Sequence, residues 1–282
     1  MNRASDDGVF LAGKRQIPRT IASERVSQRA FVGVSTLLFV VTTAVTIVWS
    51  TSMSEMEMPM AGGWTMSMAW MRVPGQTWLG MAGSFTGMWV VMMMAMMLPS
   101  LVPMLSRYRQ AMGKAGGARV GRLTAVAGIG YFLAWTVYGI VAFLLGVALA
   151  ALAMQQPALA RAVPIAVGVV VLGAGALQFT AWKAHHLARC RQATVVDSVM
   201  QARAGSALRH GLRLGIECIR CCGALMAVLL VIGVLEVAVM TAVAAAITVE
   251  RLAPGAERAA RAVGVVTVAA GLFLIVRAVG TG

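Results

Sequence analysis

The chain has 282 residues, 59% hydrophobic and 12% charged, with a mean hydropathy of +0.81. A soluble domain carries about 25% charged residues, so this composition excludes an ordinary water-soluble fold and points to a polytopic membrane protein. The net charge of +14 does not indicate nucleic acid, because the basic residues cluster between apolar runs, where they orient a membrane chain and meet anionic lipid.

The apolar runs are long and lack strand alternation, which predicts an all-α membrane helix bundle and not a barrel. Residues 1–30 carry Arg3, Lys14, Arg15, Arg19, Arg25 and Arg29. They read as a disordered basic cytoplasmic tail with no cleavable signal, leaving 31–282 as a single transmembrane helical domain. Phe31–Trp49 is the first expected span.

Residues 50–77 form a Met-rich loop, in which Met53, Met56, Met58, Met60, Met66, Met68 and Met71 interleave with Trp64, Trp70, Glu55 and Glu57. Arg72 is its one basic residue, which places the loop outside. Two readings fit it: thioether capture of Cu(I), or an interfacial segment with Met and Trp as its apolar face.

Trp78–Leu105 is the second span, with Met93, Met96, Met97, Ser100 and Met104 on one helical face and Pro99 and Pro103 as kinking residues. A face of that kind can pass a soft cation or simply pack. A basic loop, 106–123, leads to a third span over Thr124–Leu152. The fourth, about Val163–Trp182, is expected to continue without a breaker through His186 and Cys190, which stand at i, i+4. A basic loop follows at 192–213.

Ile216–Val249 would measure about 50 Å as one helix. It is read as one long span projecting beyond the layer, with Glu236 as a polar intramembrane residue and so a functional candidate. A break at Gly233–Glu236 would instead give two short spans and seven in all. Ala262–Val279 closes the chain. Six helices with both ends cytoplasmic are thus expected, in an inner or plasma membrane.

The chemistry concentrates in Gly215-Ile216-Glu217-Cys218-Ile219-Arg220-Cys221-Cys222, which holds three of the four cysteines. At i, i+3 and i+4 on a helix the three sulfurs share one face. One buried cysteine is usually a small hydrophobe, but three converging soft donors suit a soft metal. His186 and Cys190 are expected at the same membrane edge. The candidate metal residues are therefore His186, Cys190, Cys218, Cys221, Cys222, Met93, Met96 and Met97, with Arg189, Arg191 and Arg220 favouring the thiolates. Cu(I) fits so thioether-rich a chain best, and Zn(II) is the other metal such ligands take.

Four stretches carry a resemblance: Trp89-(x)3-Met93-(x)-Ala95-Met96-Met97-(x)-Pro99-Ser100-(x)2-Pro103, Gln178-(x)-Thr180-(x)2-Lys183, Cys190-Arg191, and Gly215-(x)2-Cys218-(x)2-Cys221-Cys222-(x)3-Met226. In that order they resemble a family of predicted metal-binding integral membrane proteins grouped as a domain of unknown function. The family usually has cysteine where this chain has His186, and Trp where it has Gly223. The resemblance implies metal binding and supplies no reaction.

The expected function is a membrane metal-binding protein that handles or delivers copper, with the lipid bilayer, the metal ion and a metalloprotein or membrane complex as partners. A membrane thiol redox protein and a metal-free scaffold or accessory subunit are the alternatives. No hydrolase triad, phosphate loop or catalytic carboxylate pair is present, which argues against an enzyme.

Overall fold

A computed structural model describes residues 6–54, 58–60, 64–67, 70–71, 75–112, 117–192 and 203–280. The chain is built of eight helices among these residues: α1 Asp6–Ser54, α2 Trp78–Ala111, α3 Gly117–Gln155, α4 Pro157–Leu177, α5 Ala181–Gln192, α6 Ala204–Ile232, α7 Val237–Leu252 and α8 Ala256–Gly280. A small antiparallel hairpin, β1 Met58–Met60 with β2 Trp64–Met66, joins α1 to α2. Met56 and Met68 of the expected Met-rich loop lie outside the described residues.

Six helices (all but α5 and α7) are long and apolar enough to cross a membrane. Their outer faces agree with that reading. Val34, Leu37, Val48, Leu144, Leu145, Val266, Phe273 and Val276 are all more than half exposed, an apolar surface that water would not tolerate. α2 is the most buried of the six and forms the centre of the bundle, packed against α1, α3 and α7.

α1 begins at Asp6, inside the 1–30 segment. Two sequence expectations change. The run after α4 is not continuous, because the chain leaves the helix over Gln178–Thr180. There Thr180 Oγ1 donates to the Leu177 carbonyl at 2.7 Å and accepts from the Lys183 amide at 3.2 Å, ending α4 and capping α5 with one hydroxyl. Ile216–Val249 is not one helix either. The chain turns at Gly233, where the alternative reading put a break, with the Glu236 amide on the Gly233 carbonyl at 3.2 Å, and Glu236 is an exposed residue at the start of α7.

That turn alters the topology. α6 runs parallel to α3, since Gly211 abuts Ala127 and Gly215 abuts Tyr131 and Ala134. α8 runs antiparallel to α4, since Gly168 abuts Ile275 and Gly175 abuts Val268. α4 reverses α3 through the tight turn at Gln156. So α6 and α8 point the same way, and α7, about 24 Å long, brings the chain back between them. Gln28 of α1 bonds Ser106 of α2, so α1 starts on the face where α2 ends. The two ends of the helical domain therefore lie on opposite faces, not on one.

Candidate metal centre

α6 changes character midway. Its first half carries Arg209, His210, Arg213, Glu217 and Arg220, whereas beyond Cys221 it is wholly uncharged. At the junction Cys218, Cys221 and Cys222 face inward and are buried. Their sulfurs lie within 4.8 Å of one another, with Cys221 Sγ and Cys222 Sγ 3.1 Å apart and Cys218 Sγ 4.0 Å from Cys222 Sγ. All four cysteines are free.

Close packing of α3 makes one wall. Because Gly215 has no side chain, α3 approaches until the Tyr131 hydroxyl donates to Cys218 Sγ at 3.1 Å. α5 makes another wall: Lys183, Leu187 and Cys190 form its buried face, and the Cys190 thiol interacts with Cys218 and Cys221. Hydrogen bonding to Cys218, reinforced by burial, pushes the Cys190 thiol up to about 12. A bound cation would have to displace that proton.

α7 delivers the charges. The Arg251 guanidinium is buried and donates through Nη1 to Ser100 Oγ at 2.7 Å and to Cys218 Sγ at 3.3 Å. Its Nη2 reaches Met104 Sδ at 2.8 Å. Next to it, Glu250 accepts from Lys183 Nζ at 2.6 Å and from Gln178 Nε2 at 3.0 Å. Lys183 also donates to the Cys221 carbonyl at 2.6 Å. This buried pair fastens α5 and α7 to the cysteine turn of α6.

The structure thus brings together Cys190, Cys218, Cys221 and Cys222. It does not bring His186 to them. His186 lies one position to the side of the buried stripe of α5, with Nδ1 3.5 Å from Glu217 Oε2 and its ring on Trp182. Of the expected arginines, Arg220 pairs with Glu217 at 3.0 Å and Arg191 donates to the Ala253 carbonyl. Met93, Met96 and Met97 are buried in the same core as the cysteines, with Met97 two turns along α2 from Met104.

Arg251, Tyr131 and Glu250 escaped the sequence reading. The signal available for two of them was the charged pair Glu250-Arg251 directly after an apolar run, a pattern that ordinarily marks a membrane boundary. Lys183, Gln178 and Thr180 did appear, as motif residues without a role. Their contacts supply one: a hinge and a buried clamp.

Residues 86–274 match the model of a family described as copper chaperone, PpoB2. Comparison with curated proteins and with solved structures gives no match.

Proposed function

The chain belongs to this copper chaperone family, and on that premise we propose that it binds Cu(I) at the buried thiols and passes it on from the membrane. The observation that carries the reading is the convergence of Cys218, Cys221 and Cys222 beside Arg251 in an otherwise apolar core.

Thiolates select soft metals such as Cu(I), and thioethers do so without carrying charge. Electroneutrality limits how many of the thiols ionise around the metal. Lys183 and Glu250 cancel each other, while Arg251 keeps its proton at any working pH. Buried uncompensated charge is costly. Cu(I) with two thiolates is a monoanion, which Arg251 neutralises; Zn(II) would need three. We assign the two thiolate ligands to members of the four-cysteine set, with Cys218 central because it is in contact with Tyr131 and Arg251. Arg251 orients and neutralises, and the Lys183–Glu250 clamp holds α5 and its Cys190 in place. Met93, Met96 and Met97 form the soft approach to the site from α2, and His186 is left outside the ligand set.

Copper is cargo in this reading, and its acceptor is a metalloprotein or membrane complex. The face bearing Arg107, Arg119, Arg189 and Arg209 is cytoplasmic by its charge, in an inner or plasma membrane. There thiols stay reduced. The test is metal analysis of the detergent-solubilised protein after titration with Cu(I) against a competing chelator. The parent should retain about one Cu(I) per chain, and Cys218→Ser/Cys221→Ser should retain none. Equal retention by both would refute the reading.

A further inference from the structure

The methionines are distributed in a way that packing alone does not require. α2 buries Met81, Met88, Met92, Met93, Met96, Met97 and Met104. The lipid-facing surfaces use Val, Leu, Ile and Phe instead, and among the described residues Met58 and Met154 are the only strongly exposed methionines. Met88, Met92 and Met96 follow one another at i, i+4 down one face of α2, and Met93 and Met97 repeat the step beside them. Successive side chains at that spacing are about 5–6 Å apart at Cβ. From Met81 to Met104 the series covers about 35 Å, the depth of an apolar layer.

Both ends of the series are anchored. At one end the hairpin rests on the bundle: Met66 is buried against Ala150 and Ala153, Trp64 Nε1 donates to the Ala160 carbonyl at 2.9 Å, and Trp70 beyond it meets Phe85 of α2 with the rings tilted and 5.4 Å apart. At the other end Met104 Sδ meets Arg251, which touches Cys218 Sγ. Thioethers at one-turn steps from Met88 to Met97, with two-turn steps of about 10 Å to Met81 and to Met104, therefore line the most buried of the six long helices between the hairpin face and the thiols.

We propose that α2 is a conduit that carries Cu(I) from the hairpin face, thioether to thioether, to the cysteine cluster. This rests on the copper reading of that cluster and adds to it a transmembrane supply route. At each step a Cu–S bond to the next methionine forms as the bond to the previous one breaks. Copper stays Cu(I), no electron moves, and the neutral ligands leave its single charge unchanged. At the cysteines, thiol protons leave to solvent as thiolates take the metal. The soft donors replace water, so a bare cation never stands in hydrocarbon.

The test uses the full chain in phosphatidylcholine vesicles, with a Cu(I)-specific chelating dye inside and ascorbate-reduced copper outside. The parent should develop dye colour well above protein-free vesicles, and Zn(II) with a zinc dye should not follow. Met88→Leu/Met92→Leu, which conserves apolar volume, should slow Cu(I) entry at least tenfold while retaining the parent's bound Cu(I) in detergent. Met154→Leu should enter Cu(I) as the parent does. Unchanged entry in the double variant, equal entry of Zn(II), or no entry in a parent that binds Cu(I) would each overturn the conduit. A parent that binds no Cu(I) in detergent would instead overturn the copper reading beneath it. If the double variant binds poorly, the single Met92→Leu decides between the same outcomes.

Discussion

The Arg251 guanidinium lies 3.3 Å from Cys218 Sγ, and two helices that are 33 residues apart at these positions meet through that contact. A fixed cation at a cluster of soft anionic donors sets how many thiolates the apolar core can hold. It also makes Arg251 part of the metal's surroundings although it donates nothing to the metal. Replacing it with methionine should lower Cu(I) affinity at least tenfold, about 1.4 kcal/mol, because the thiolate complex would then stand as an uncompensated anion. Arg251→Lys, which keeps the charge but not the fork to Ser100 and Met104, should lose less. Chelator competition on the two variants checks the order, and equal loss would assign the effect to packing.

The Lys183–Glu250 pair is buried on both sides. Breaking such a pair from one side leaves a charge without a partner, which costs about 3–5 kcal/mol. Lys183→Met and Glu250→Gln should each lower the unfolding midpoint in detergent sharply. The double variant should recover much of the loss, since it removes both charges together. Additive losses would mean that the two residues act independently.

Gly215 allows α3 to touch α6 beside the site. A Cβ there would stand 2.7 Å from Ala134 Cβ and 2.8 Å from the Tyr131 carbonyl oxygen, so the helices would have to separate. Gly215→Ala should destabilise the protein by about 1–3 kcal/mol through overpacking and weaken Cu(I) binding by lengthening the Tyr131–Cys218 contact. Gly223→Ala, where an added Cβ meets only Ile219 Cγ2 at 4.0 Å, is the control and should bind as the parent does. Measuring Cu(I) affinity and unfolding on the pair separates the two effects.

The topology is open to a direct test. Gln110→Cys at the end of α2 and Gly280→Cys at the end of α8 should react with a membrane-impermeant thiol reagent from opposite faces. Labelling of both from one face would restore the simple six-span path with both ends together.

Much of this was legible in the sequence. The apolar runs located the six long helices, and the i, i+3, i+4 spacing of Cys218, Cys221 and Cys222 located the cluster. One break was not legible, and a second was weighed only as the alternative to a single long helix. Thr180 ends a helix with its hydroxyl, in a stretch that contains neither glycine nor proline. The turn at Gly233 is the alternative that Gly233 and Glu236 marked, and the apolar residues on either side favoured one continuous helix instead. The misjudged fate of the chain ends follows from that turn, because α7 is short of a full span yet reverses the direction. His186 lies beside the buried stripe of α5, which is Lys183, Leu187 and Cys190 once the helix starts afresh after Thr180. The contacts of Arg251 and Glu250 depend on α7 folding back against α2, α5 and α6, which no local pattern encodes.

X-ray absorption at the copper edge, on the detergent-solubilised protein loaded with one equivalent of Cu(I), tests the central claim most directly. The account predicts a Cu(I) edge with a sulfur-only first shell of low coordination number, retained in His186→Ala and lost in Cys218→Ser/Cys221→Ser. A nitrogen or oxygen donor in the first shell that disappears in His186→Ala would contradict it, as would a spectrum unchanged by loss of the two cysteines.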